Sequence, residues 1–181
     1  EDMPNPLNVY GRSVLKGESL IKNTLDRYLI FRTSRIYSLR RPCFISKLLS
    51  ILGEYKDINV LADQYGSPTW ARSLAQMSYK AIINSDIFNS SIPQKYGTYH
   101  LSDYGEVSWY DFASAIIEII EKKKINLLNE KPTIRAIDSD VFVSPTKQPR
   151  YSALSTSKIE KNLCIKPVFW KKQLESCLSE I

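Results

Sequence analysis

Tyr28-Leu-Ile-Phe-Arg-Thr33 is a short apolar run bounded by polar residues, the pattern of a strand buried on both faces. Behind it Phe44, Leu48, Ile51 and Leu52 recur at helical spacing until Gly53 stops the helix. The alternation continues outward. Ile58-Asn-Val-Leu61 reads as a second strand, and from Trp70 the positions Leu74, Met77, Ser78 and Ala81 share one helical face, with Thr69 placed to cap its start. Thr98-Tyr-His-Leu101 is a third strand candidate. Strands alternating with helices predict the α/β class, with a parallel sheet in at least part of the chain.

The clearest element begins at Ser108, with Asp111 three residues on in a capping-box arrangement. Trp109, Phe112, Ala113, Ile116, Ile117 and Ile120 then form one wide apolar stripe, while Asp111, Glu118, Glu121 and Lys122 fall elsewhere. That stripe predicts a helix lying on a core and implies packing alone. A looser segment with Pro132, Pro145 and Pro149 follows, then a short helix near Ser157 to Lys161 and a last one from Trp170 to Leu178.

The chain has 181 residues, of which 43% are hydrophobic and 24% charged, ordinary globular composition. No apolar run approaches the roughly 18–20 residues of a membrane span, and the first residues are acidic and Pro-rich, so the chain reads as soluble and cytoplasmic, with no membrane partner. Cys43, Cys164 and Cys177 are odd in number and widely spaced, which signals neither a disulfide framework nor a zinc site. The formal charge of +6 raises the question of a polyanionic partner. Arg40-Arg41, Lys122-Lys123-Lys124 and Lys171-Lys172 are short isolated runs, and the lysine triplet falls where a helix ends and cations suit its dipole. They are read as solvated surface, with no nucleic acid bound.

Six glycines, at 11, 17, 53, 66, 97 and 105, include no pair at the spacing of a dinucleotide-binding turn. That turn needs glycine because backbone must approach a pyrophosphate at a helix N-terminus. One histidine, His100, lies in an apolar strand-like run, which argues against His-based nucleophilic catalysis and for a structural role. No clustered His, Cys or carboxylate spacing suggests a metal.

The informative motif is Pro6-Leu-Asn-Val-Tyr10-Gly-Arg-Ser-Val-Leu-Lys-Gly-Glu18. It resembles the P-L-N-x-Y-G element and closing G-E of the dTDP-4-dehydrorhamnose reductases, which are extended short-chain dehydrogenase/reductases. Leu29-Ile-Phe-Arg-Thr-Ser34 with Ile36-Tyr37 is similar to that family's strand and loop. Asp63-Gln-Tyr-Gly-Ser-Pro-Thr69 is similar to its D-Q-x-G-x-P-T motif, and Gly97-Thr-Tyr-His-Leu101 with Ser108, Trp109 and Phe112 to its G-x-Y-H-x motif and following helix. The resemblance runs from about residue 1 to 178 in the family's order.

The resemblance implies the C-terminal portion of a Rossmann-like parallel sheet plus a small mixed α/β substrate-binding lobe. Residues 1–39 and 70–101 would belong to the former, 40–69 and 102–181 to the latter. The glycine-rich half would be missing, so the chain is expected to be a fragment or a truncated member. In the complete family member NADPH or NADH delivers hydride to C4 of dTDP-4-dehydro-L-rhamnose while a tyrosine, matched by Tyr10, protonates the oxygen. A possible homodimer is also implied. Tyr10, Thr33 and Ser34 match cofactor-side positions; Arg35, Gln64, Tyr65 and Thr69 match substrate-side positions.

Three positions depart from the family pattern. A phenol with a pKa near 10 needs a nearby cation to work near neutrality. The family has a lysine four residues after its tyrosine, on the same helix face; here that position is Val14. Lys16, six residues on at about 100° per residue, falls on another face. Arg35 stands where the family has a tryptophan lining the sugar pocket; it can pair with the sugar's diphosphate through its fork, or fill the space left by the ring. Gln148 replaces an arginine. The expectation is that this chain binds no cofactor by itself and does not turn over, the alternative function being a non-catalytic nucleotide-sugar-binding or regulatory module.

Overall fold

A computed structural model describes residues 3–85, 95–125, 132–141 and 146–181 of the chain. Pro145, named above as part of the looser segment, and Glu1 and Asp2 lie outside the described residues. The order of elements is α1 (Val9–Thr24), β1 (Leu29–Arg32), β2 (Ile36–Tyr37), α2 (Phe44–Ile51), β3 (Asp57–Leu61), β4 (Tyr65–Gly66), β5 (Thr69–Trp70) and α3 (Ala71–Asn84). There follow β6 (Gly97–His100), β7 (Val107–Ser108), α4 (Trp109–Lys122), β8 (Thr133–Ile137), β9 (Tyr151–Ser152), α5 (Ser157–Leu163) and α6 (Trp170–Leu178).

Four strand pairs among the described residues are parallel: β1 with β6, β2 with β5, β3 with β8, and β4 with β9. Parallel neighbours cannot be joined by a tight turn, so each pair needs a long crossover. α3 lies in the crossover from β1 to β6, and α4 in that from β3 to β8. β4 sits between antiparallel β7 and parallel β9, which ties the Asp63–Thr69 segment to residues 107–108 and 151–152. The α/β class with parallel pairing is therefore as expected.

Two cores result. The smaller joins Leu29 and Phe31 of β1, Tyr99 of β6, Met77 and Ala81 of α3, and Ile159, Leu163 and Ile165 in and after α5. Helix α5 thus packs its apolar side against β1 and β6. The larger core is organised by α4, which buries Phe112, Ala113, Ala115, Ile116, Ile117, Ile119 and Ile120 against α2, β3 and α6. Each fully buried isoleucine contributes about 1.5–3 kcal/mol. The Ser108 hydroxyl accepts the Asp111 N–H at 3.0 Å and donates to its carboxylate at 2.6 Å, so the expected N-terminal cap is present.

Two local expectations are corrected. Thr69 does not cap α3: it lies in β5, and its hydroxyl donates to the Ser67 carbonyl at 3.0 Å and accepts the Asp103 N–H at 3.3 Å. The first turn is served instead by the Asp103 carboxylate, which accepts the Trp70 N–H at 2.9 Å and the Ser73 hydroxyl at 2.5 Å. The looser segment also contains a strand, β8, invisible to the sequence reading because Pro132 precedes it and its Thr-Ile-Arg-Ala-Ile run is largely exposed. No helix among the described residues is long and apolar enough to cross a membrane.

Candidate functional site: a cleft beneath helix α1

The start of α1 is set by Asn8. Its side chain accepts the Gly11 N–H at 2.8 Å, and no acidic residue shares the first turn. Gly11 allows this tight entry, because a Cβ there would stand 3.0 Å from the Cβ of Pro6. Tyr10, Val14 and Glu18 are spaced four apart, which places them on one helix face, and all three line a cleft of about 810 Å³. Its other walls are the residue 4–8 segment, β1 with the Thr33–Arg35 turn, and residues 148–154 from the far end of the chain.

At the inner end, Glu18 is only 8% exposed. Arg32 of β1 grips it in a two-pronged ion pair, Nε to Oε1 at 2.8 Å and Nη2 to Oε2 at 2.6 Å. Those hydrogen bonds hold the Glu18 carboxyl below the usual carboxylate range against the opposing effect of burial. This pair was missed in the sequence; a lone arginine inside the apolar run of β1 was its available signal. At the outer end Tyr10 is 77% exposed, and Val14 presents aliphatic carbon where the family pattern has an ammonium.

The structure brings Tyr10, Val14, Thr33, Ser34 and Arg35 into one cleft. The Ser34 hydroxyl accepts the Ser67 N–H at 3.3 Å, and the Thr33 hydroxyl is buried without a partner. Arg35 has the left-handed φ of 44°. Its Nη1 donates to the Val107 carbonyl at 3.0 Å and its Nη2 to the Gln64 carbonyl at 2.7 Å, while the guanidinium stacks 4.1 Å from the Trp109 ring centroid. Burial draws its pKa down to about 10, still fully charged near neutrality. A Cβ on Gly66 would collide with this side chain, which explains that glycine. Both cleft guanidiniums are thus already engaged, one by a carboxylate and one by carbonyls.

The remaining substrate-side candidates are spread apart. Gln64 lines an adjoining cavity of about 450 Å³ together with Lys147, Gln148 and Arg150. Tyr65 is 41% exposed outside both cavities, and Thr69 is fully buried in the hydrogen bonds described above. His100 places Nδ1 3.2 Å from the Ser155 carbonyl, a structural tie.

Across its whole length, residues 1–181, the chain matches the model of the RmlD substrate binding domain. The chain belongs to the dTDP-4-dehydrorhamnose reductase family. It is 32% identical over 183 residues to a protein of Escherichia coli K12 named dTDP-4-dehydrorhamnose reductase, and 31% identical over 180 residues to one of Shigella flexneri. Each match covers 99% of this chain and 58% of the relative, so the chain spans little more than half the length of the curated relatives it matches. A dTDP-4-dehydrorhamnose reductase structure from Clostridium acetobutylicum superposes with a TM-score of 0.84 at 27% identity, covering 99% of this chain and 57% of that one. One from Bacillus anthracis, in complex with NADP, gives 0.81 at 30% identity over 99% and 58%.

The residues described do not by themselves fit such a cofactor. The phenol of Tyr10 is accessible, yet Val14 supplies no cation beside it, the Ser34 hydroxyl is engaged by the Ser67 N–H and the Thr33 hydroxyl is buried. No step through NADP is derived from this chain's residues. Nor does any group of three or more His, Cys, Asp or Glu among the described residues suit a metal ion.

Proposed function

We propose that this chain is the substrate-binding part of a nucleotide-sugar reductase, holding a dTDP-sugar in the 810 Å³ cleft with the sugar ring against Tyr10. The carrying observation is the position of that phenol: exposed, at the start of α1, on the wall of a cleft roofed by residues 148–154. The reaction of the complete reductase would be reduction of the C4 ketone of dTDP-4-dehydro-L-rhamnose to dTDP-L-rhamnose, with NADPH or NADH taken up by a glycine-rich half. The protein would act in the cytoplasm.

Titration of the 181-residue chain with dTDP by calorimetry tests the binding. Saturable binding that weakens in Tyr10→Ala supports it; absence of binding at millimolar dTDP overturns it.

A second reading, binding without turnover, is favoured by Val14. Val14 stands one turn from Tyr10, none of the α1 residues that line the cleft is a cation, and the two cleft arginines are held by Glu18 and by backbone carbonyls. The expected result is no oxidation of NADPH with dTDP-4-dehydrorhamnose above a Tyr10→Phe control. Turnover by the purified chain removes this second reading.

A further inference from the structure

Asn8 makes two hydrogen bonds with the two ends of one amide. Its oxygen accepts the Gly11 N–H at 2.8 Å and caps α1; its nitrogen donates to the Lys147 carbonyl at 3.1 Å. The second bond joins residues 139 apart in sequence, Asn8 lining the 810 Å³ cleft and Lys147 the 450 Å³ cavity. The neighbours of this pair matter. Leu7 precedes Asn8, Gln148 follows Lys147, and both Leu7 and Gln148 line the 810 Å³ cleft and the 450 Å³ cavity alike. The Asn8–Lys147 bond therefore sits at the neck where the two spaces meet.

Few other contacts hold α1. It buries a single residue, Glu18, whose tie to Arg32 lies at the inner end of the cleft. The outer end, which carries Tyr10, is fixed against residues 146–150 through Asn8. We propose that Asn8 is a positioning residue, a latch that sets the distance between Tyr10 and the 148–154 wall and thereby the width of the neck. A nucleotide sugar is longer than one sugar ring, so a ligand with its ring at Tyr10 would have its diphosphate run through this neck toward Gln64, Lys147 and Arg150. That assignment of ligand rests on the dTDP-sugar reading above; the latch itself rests on the two hydrogen bonds.

The two functions of Asn8 are separable by substitution. Asp and Ser are both good N-caps and keep an oxygen for the Gly11 N–H, but neither can donate an amide hydrogen across to Lys147. Asn8→Asp and Asn8→Ser are expected to keep the wild-type melting temperature and slow hydrogen exchange in α1. Residues 146–152 should exchange faster in both. Their affinity for dTDP should fall about five-fold, the ratio that loss of one net hydrogen bond gives. Asn8→Ala should lose helix protection as well. If Asn8 were only a cap, Asp and Ser would restore everything that Ala removes, and unchanged exchange at 146–152 with unchanged dTDP affinity in both overturns the latch. A wild-type chain that binds no dTDP, yet shows the faster exchange in Asn8→Asp and Asn8→Ser, overturns the ligand reading and upholds the latch.

Discussion

Helices α1 and α4 are close in length, 16 and 14 residues, and are held by opposite means. α4 buries seven apolar residues and is enclosed by α2, α6 and the β3–β8 pair. α1 buries one residue, and that residue is a carboxylate. Val9, Tyr10, Val14, Leu20, Ile21 and Leu25 of this region are all exposed. The contrast separates two ways of fixing a helix: area removed from water, which is strong and tolerant of direction, and a few polar ties, which are weaker and fix an orientation. Tyr10, on which the proposed binding rests, stands on the helix held by polar ties.

The largest expected effect lies in α4. Ile116 has no exposed surface, and Ile116→Ala should lower the unfolding free energy in urea by about 2–5 kcal/mol. On α1, Leu20 is 58% exposed, and Leu20→Ala should change it by less than about 0.5 kcal/mol. Equal effects would mean that the two helices are held alike.

Two buried carboxylates sharpen the comparison through pH. Burial pushes Asp103, beside the larger core, up to about 6, against the lowering effect of the Ser73 hydroxyl and the Trp70 N–H. An unfolded Asp titrates near 3.9, so between about pH 4 and 6 the folded chain holds a proton the unfolded chain has released. Stability therefore falls as pH rises through that window, by up to about 3 kcal/mol at roughly 1.4 kcal/mol per unit. Urea titrations at pH 4 and 6.5 should show this fall in the wild type and a flatter profile in Asp103→Asn.

Glu18 has the opposite sign. Arg32 lowers its folded value, so its contribution is complete above the unfolded value near 4.3 and disappears as acid titrates the folded carboxylate. Glu18→Gln should cost about 1–3 kcal/mol at pH 7 and flatten the acid arm of the curve. An acid arm unaltered in this variant would show that the pair does not anchor α1.

The same division governs what could be read from the sequence. α4 was legible to the residue at its cap, because Ser108, Asp111 and the isoleucine stripe carry their own instructions within a few turns. The two-residue strands β2, β4, β5, β7 and β9 have no pattern of their own and exist through their partners. Thr69 looked like a cap by local rules, and lost the role to Asp103, more than 30 residues away in sequence. At the cleft, Tyr10 and Val14 were legible from the motif and its spacing. Arg35 was not: its sequence alternatives were a diphosphate partner or a space filler, and its guanidinium is tied to the Gln64 and Val107 carbonyls across 29 and 72 residues.

A small expected gain tests whether α1's bare face is in fact bare. Gly17 lies mid-helix with nothing within 4 Å of where a Cβ would stand, so nothing among the described residues requires glycine there. Gly17→Ala should raise stability by about 0.5–1 kcal/mol through helix propensity and a less flexible unfolded chain. Gly11→Ala gains the same propensity, but its methyl group meets the Pro6 Cβ at 3.0 Å and the Asn8 oxygen at 3.5 Å, so the entry to the helix must shift. Its melting temperature should stay at or below that of the wild type, and dTDP binding should weaken because Asn8 moves. A Gly17→Ala variant that melts lower than wild type would mean that this face of α1 is covered in solution, and the contrast between α1 and α4 would then belong to the isolated chain alone.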